Sequence, residues 1–447
     1  MLSQITFQDI YLSSSASIVS TLLIFSVLVW VIFSCLRSKL GSYIPLYDDD
    51  AHALLSFNRR RMFDSVNLLR EGYHKFYDKP FRVWTSQGEQ VSLPPKYIDG
   101  LKMLPDHTFS SQLRDFMLVA YTMAPVGPEI LDHVDAVISS DLNRNLDWTP
   151  VTAYGTVLRL ICMILGRMSV GPSLNRNEEW IDISSEWTRN VFLSAVKLKM
   201  LPAFLRPIGS SFIPEIRKCR HQNDKKNYTF FGIGQLAIGA LSIHTVSHLT
   251  TNVILNLAAY PEYAPRLRDE YETVKAEHGE EFKLEDMAKL KKMDSFLNET
   301  LRCNNLTLVS FQRKVLRTII LHDGTTLPVG PLIFAPGNAI STDNAIFPNG
   351  DTFDGLHFYK LREASSEAKN KHQLTSISNT QLHFGAGRHA CPGRWYASAE
   401  IKLIIVSLLS KYDIKLRDGE TRPESIKFQH RNVPDPKAQV LFRKRGL

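Results

Sequence analysis

Cys391 lies in the run Phe384-Gly385-Ala386-Gly387-Arg388-His389-Ala390-Cys391-Pro392-Gly393, and a helix-like segment begins near Arg394. The thiolate, not the thiol, is the form of cysteine that ligates metals. The amino end of a helix and a nearby cation such as Arg388 both favour that anion. Gly387 and Gly393 let main-chain N–H groups approach the sulfur and tune it. Pro392 suits the start of a helix, where its missing N–H is no loss. Residue types and spacing together point to a metal-ligating cysteine. The alternative is a buried structural cysteine in a tight turn.

Two other constellations could carry chemistry. Glu299 and Arg302 are three residues apart on one helix face, a spacing that is also common in plain surface ion pairs. His244 and Thr245 sit midway along a long apolar segment, where a hydroxyl and an imidazole could hold water and pass protons. Two polar residues satisfied inside a buried helix is the competing account.

These residues need a scaffold. Phe81 to Trp84 and Gln90 to Leu93 alternate around Ser86-Gln87-Gly88, a hairpin signal. Helical periods dominate from Tyr97 to about Ile216, with Val157, Leu160, Ile161, Ile164 and Leu165 as one buried stripe. Phe231 to Tyr260 would run roughly 45 Å as one helix. Its Gln235, His244, Ser247, His248, Thr250 and Asn252 favour burial in protein over a membrane span. Leu284 to Arg302 is predicted helical. Strands follow at Val309 to Val315, Thr318 to Leu321, Thr325 to Leu327 and Leu332 to Phe334. Ala364 to Thr380 reads as a loop, Arg394 to Tyr412 as an amphipathic helix, and Arg443-Lys444-Arg445 as a basic tail.

Near the start, residues 18–36 are apolar and uncharged, and as a helix would run about 28 Å, close to the hydrocarbon thickness. Arg37 and Lys39 follow, with no Lys or Arg before them, so the positive-inside rule keeps the rest of the chain in the cytosol. A cleaved signal peptide would need a basic start and a small-x-small site, and neither is present. The expected order is a tail over 1–17, a transmembrane anchor over 18–36, a linker over 37–50 and one catalytic domain over 51–447.

Of the 447 residues, 44% are hydrophobic and 22% charged, which supports a packed core. The net charge of +8 suits a membrane surface or an acidic protein partner. No nucleic-acid motif is present. Five cysteines, spaced neither as a disulfide framework nor as a zinc site, fit a reducing compartment.

The Cys391 loop resembles the haem-binding loop of the cytochrome P-450 family, whose pattern is Phe-x-x-Gly-x-Arg-x-Cys-x-Gly. Phe384, Gly387, Cys391 and Gly393 match, and His389 stands at the arginine position, as in some fungal members. The resemblance covers most of the chain after Phe81 and is strongest from Asp294 onward. It implies a mainly helical cytochrome P-450 fold with small β-sheets and heme b held by the axial thiolate of Cys391. It also implies an internal bracing pair, Glu299 and Arg302, and an oxygen-side helix carrying Thr245 and His244. Phe384, Gly387, His389, Gly393 and Arg313 become candidate haem contacts. Asn305 to Ser310, Ala237 and Leu241 would line the substrate side.

The family completes the Glu–Arg pair with a further arginine, and His357 replaces it here, which implies a looser, pH-sensitive network. His389, His357 and His244 are all expected to titrate near neutral pH. The chain is also short for a membrane-bound member, because Cys219 to Lys226 leads almost directly into the long helix. Runs such as Ser310-Phe311-Gln312-Arg313 and Pro434-Asp435-Pro436-Lys437 resemble fungal secondary-metabolism members similar to ent-kaurene oxidase. The implied activity is oxidation of a bulky apolar substrate, most simply a terpenoid, with electrons from NADPH-cytochrome P-450 reductase at the endoplasmic reticulum membrane. The alternatives are a non-catalytic haem-binding relative and a helical membrane protein without haem.

Overall fold

The computed structural model describes residues 44–47, 64–85, 88–105, 107–110, 147–169, 171, 175–200, 206–225, 230–278 and 284–446. The expected anchor and the tail before it lie outside these residues. Among the described residues no helix is long and apolar enough to cross a membrane. Part of the expected linker is described, and it is not free. Ile44 is buried, and Pro45 and Tyr47 exchange main-chain hydrogen bonds with Arg82 at 2.8 and 2.9 Å.

The main helices are α1 (Ser65–Phe76), α2 (Ala153–Ser169), α3 (Glu178–Met200), α4 (Pro214–Lys225), α5 (Phe230–Ala259), α6 (Tyr263–His278), α7 (Lys291–Cys303), α8 (His357–Glu363) and α9 (Arg394–Lys411). Shorter helical turns lie at Ile98–Leu101, Arg206–Gly209 and Gly337–Ser341. The long apolar segment is therefore one helix, α5, and α2, α3, α7 and α9 pack against it. The predicted stripe of α2 is buried throughout and meets Val253, Leu255, Phe296, Leu297, Ile404 and Ile405 in the largest core. Burying each such side chain stabilises the fold by about 1.5–3 kcal/mol.

The strands are β1 (Phe81–Thr85), β2 (Gly88–Ser92), β3 (Phe109–Ser110), β4 (Thr149–Thr152), β5 (Ser310–Val315), β6 (Ile319–Ile320), β7 (Thr326–Leu327), β8 (Leu332–Ala335), β9 (Tyr412–Lys415), β10 (Ile426–Phe428), β11 (Arg431–Val433) and β12 (Gln439–Lys444). β1 and β2 form the expected hairpin, with Val83 opposite Gln90. They join the later strands in one sheet of order β1-β2-β8-β5-β3, in which β2 and β8 run parallel. β5 and β8 of the second strand region thus share a sheet with the first, while β6 and β7 pair with each other.

Three expectations are corrected. The basic end is no tail: β12 lies between β4 and β9, and the apolar Val440 and Phe442 anchor it in the core. The region from Tyr97 to Ile216 is interrupted by β3 and β4, which are short enough to leave no periodic signal. Finally, α9 is not amphipathic, because Glu400 to Leu409 are buried without a break. It is a central helix, enclosed by α5, α6 and α7.

Candidate active site

The loop before α9 is a knot of main-chain hydrogen bonds. Cys391 N–H donates to the Phe384 carbonyl at 2.7 Å, and Ala390 N–H to the Gly387 carbonyl at 3.1 Å. Gly385 and Gly387 hold φ of +75° and +63°, the left-handed region that suits glycine. Gly387 also presses against the turn after Ile98–Leu101, where a Cβ would lie 2.2 Å from the Lys102 carbonyl oxygen. Phe384 is half-buried and packs against the large core. His389 ends a single helical turn over Gly387–His389.

Burial raises the pKa of the Cys391 thiol, and the Gly393 and Arg394 N–H groups and the Arg394 charge oppose that rise. Arg388, expected to stabilise the sulfur, is exposed on the outside of the loop. Arg394 takes its place. Its guanidinium donates to the Cys391 carbonyl at 2.7 Å and to the Thr375 carbonyl at 3.2 Å, and lies 3.4 Å from the centroid of the exposed Trp395 ring. Because burial dominates, bonding to a cation is what would hold the sulfur as thiolate.

This donor set fits an iron macrocycle. It offers one sulfur and amides aimed at it. Among the described residues no group of three or more His, Cys, Asp or Glu could hold a metal alone. A porphyrin supplies four equatorial nitrogens, so a single protein sulfur suffices as axial ligand.

Glu299 and Arg302 are buried on α7 and form a two-pronged ion pair at 2.6 and 2.8 Å. Arg302 also donates to the carbonyls of Ser341, Gly350 and Thr352 at 2.6, 2.6 and 2.8 Å. The pair is internal, not a surface feature. The looseness expected from His357 is not found. The Asp354 N–H donates to Glu299 Oε1 at 3.0 Å, so a main-chain group closes the network. Burial lowers the His357 pKa, which keeps the ring neutral at pH 7.

On α5, Thr245 is exposed and its hydroxyl donates to the Ser242 carbonyl at 3.1 Å. His244 points elsewhere. Its Nδ1 lies 3.0 Å from Tyr154 Oη on α2, and its Nε2 lies 3.0 Å from Thr188 Oγ1 on α3. Burial, helped by the Arg189 charge, pulls its pKa down to about 4. The expectation that His244 titrates near neutral pH is corrected. Sequence gave no sign of Tyr154 or Thr188 as its partners, since nothing local marks them.

One turn beyond Thr245, His248 is fully buried. Its Nε2 faces the Asn304 carbonyl at 2.7 Å, and burial lowers its pKa to about 4. Arg313 is buried on β5, with its guanidinium 4.7 Å from the Phe311 ring centroid and donating to the Gln312 carbonyl at 2.8 Å. The 305–310 segment is tied to the β10–β11 hairpin: the Leu308 N–H donates to the His430 carbonyl, and Asn432 donates to that of Asn305. That hairpin escaped the sequence because each strand has three residues. The side chains of Ala237 and Leu241 lie outside the described residues.

The structure thus groups Phe384, Gly387, His389, Cys391 and Gly393 in one loop and pairs Glu299 with Arg302. It sets Thr245 on a helix that packs against α9. His244 is turned to the opposite partners, α2 and α3.

The sequence pattern of the cytochrome P450 family matches residues 237–442, which run from within α5 to within β12. A cytochrome P450 monooxygenase of Botryotinia fuckeliana is 32% identical over 499 aligned positions, covering 98% of each chain. Another, of Annulohypoxylon truncatum, is 30% identical over 93% of this chain and 96% of its own. An ent-kaurene oxidase of Fusarium fujikuroi is 30% identical over 87% of this chain and 85% of its own. The protein belongs to the cytochrome P450 family, whose monooxygenases bind haem through a cysteine thiolate.

Proposed function

We propose that this monooxygenase oxidises a bulky apolar substrate of the terpenoid class in fungal secondary metabolism. It takes electrons from NADPH-cytochrome P-450 reductase and is anchored in the endoplasmic reticulum membrane by residues 18–36. The observation that carries the substrate class is the likeness to ent-kaurene oxidases across most of the chain. The uncharged stretch 18–36, followed by Arg37 and Lys39, supports the anchor.

In this reading Cys391 would hold the haem iron through its thiolate, and Gly393 and Arg394 direct their N–H groups at its sulfur. Phe384, Gly387 and His389 shape the loop around the macrocycle, and Arg313 is a donor for a propionate. When bound, the haem supplies oxygen activation, and the thiolate raises electron density at the iron. Thr245 holds water on the oxygen side and passes protons from its hydroxyl. Glu299 and Arg302 brace the haem side of the fold and touch no substrate.

The second reading, a non-catalytic or defective haem-binding relative, drew on His357 and on the short run before the long helix. The Asp354 N–H at Glu299 bears on the first of these alone. The deciding experiment has two parts. The reduced protein with carbon monoxide should show the red-shifted Soret band of a thiolate haem, absent in Cys391→Ala. Expression in a host supplying terpenoid precursors should yield oxidised products that need NADPH and reductase. A normal thiolate spectrum with no reductase-dependent oxygen consumption on any terpenoid would leave only the non-catalytic reading.

A further inference from the structure

We infer that His244 is a positioning residue: the hydrogen-bonded strut Tyr154–His244–Thr188 locks the turn of α5 that carries Thr245 against α2 and α3. The three residues belong to three helices, and α5 packs against both of the others. The inference rests on the proposed role of Thr245 only for its consequence in turnover.

The direction of each bond follows from the donors available. Thr188 Oγ1 lies 2.8 Å from the Ser184 carbonyl and 2.9 Å from that of Ser185. A carbonyl only accepts, so the Thr188 hydrogen goes to that pair of oxygens, and Oγ1 accepts from His244 Nε2–H. In a neutral ring Nδ1 is then an acceptor, and it takes the Tyr154 O–H. The hydrogens run one way, from Tyr154 through the imidazole to Thr188 and on to the α3 main chain. Adding a proton at Nδ1 would force the Tyr154 hydroxyl to turn away.

The surroundings keep that tautomer through the physiological range. On α2 the facing groups are Tyr154 and, behind it, Cys162, and burial raises both to about 12. On α3 the charged neighbours are Arg189 and the Glu186 beside it at 3.6 Å. Burial keeps Tyr154 and Cys162 in their neutral forms and lowers the imidazole pKa to about 4. A group so held does not carry protons at neutral pH. It fixes how far α5 is rotated and how deeply it sits, and Thr245 is the next residue along.

The test uses the full-length haem-loaded protein, and a carbon-monoxide spectrum confirms that each variant is folded. Hydrogen exchange is followed in peptides spanning Ser242 to Ser247. Tyr154→Phe and Thr188→Val should each raise exchange there about fivefold, the equivalent of one hydrogen bond. The double variant should add little to either, exchange in α7 should be unchanged, and Thr188→Ser should restore protection. With reductase, NADPH-driven oxygen consumption should show no inflection assignable to His244 between pH 6 and 9. Unchanged exchange in both single variants would overturn the strut, whatever Thr245 does. So would an inflection near pH 6.5 that His244→Gln removes, because that is the mark of a titrating relay. If turnover responds to Thr245→Ala but not to loss of the strut, Thr245 keeps its role and the strut loses its consequence.

Discussion

The Asp354 main-chain N–H donates to Glu299 Oε1 at 3.0 Å, the same carboxylate oxygen that Arg302 binds at 2.6 Å. The family resemblance implied a third side chain in this network. Here a turn of backbone fills the role, and Tyr263 Oη holds the same turn by accepting from the Gly355 N–H at 3.1 Å. Gly355 fits because a Cβ there would lie 2.5 Å from the Phe296 ring.

His357→Gln should therefore change stability by less than about 1 kcal/mol, the range of substitutions that remove no needed partner. Arg302→Lys should cost about 3–5 kcal/mol, since one ammonium cannot replace five donors and leaves the buried Glu299 largely unpaired. Thermal denaturation of the haem-loaded protein checks both. A large loss in His357→Gln would show that the imidazole is the missing brace after all.

Gly387→Ala should weaken haem retention. The substitution meets the Lys102 carbonyl at 2.2 Å and demands φ +63°, so the loop must shift. Main-chain contacts leave no flexible side chain to yield, and strain of about 1–3 kcal/mol is expected. Gly393→Ala should be milder, because its Cβ would meet nothing nearer than Cys391 Sγ at 4.0 Å. Haem content per protein after dialysis should rank wild type, Gly393→Ala, Gly387→Ala in descending order.

Three desolvated histidines make stability fall on acidification. His244, His248 and His383 each have a folded pKa of about 4, set by burial. Unfolded they titrate near 6.5. Between those values the unfolded chain binds more protons, so stability rises with pH there and is flat in these groups above about 7. His383→Gln should make the loss from pH 6.5 to pH 4 shallower, by on the order of 2 kcal/mol. Denaturant titrations at pH 7, 5.5 and 4.5 measure the slope.

The parts of the fold legible in sequence were those with local signals. The glycine-flanked Cys391, the α2 stripe and the β1–β2 hairpin each rest on residues close together in the chain. What was not legible depends on partners far away. The burial of α9 on every side comes from three other helices. β12 looked like a basic tail because Arg443, Lys444 and Arg445 outweigh Val440 and Phe442 in any local count. The neutrality of His244 is a property of the space between α2, α3 and α5. A titration guess from residue type alone fails wherever desolvation is the largest influence.

Glu400 gives the opposite sign of pH dependence. It lies on α9, nine residues after the cysteine, and is buried, and among the described residues neither carboxyl oxygen has a hydrogen-bond partner. Burial alone raises its pKa to about 8. The unfolded value is near 4.3. Between the two the folded chain binds the extra proton, so Glu400 costs no ionisation at pH 5 and progressively destabilises as pH rises through 8. Glu400→Gln keeps the shape and removes the charge. It should leave the melting temperature near that of wild type at pH 5 and raise it at pH 8.5. The haem band serves as the control that the loop is intact. An equal effect at both pH values would mean that Glu400 is already paired and ionised, and that its carboxylate is not held as an acid inside α9.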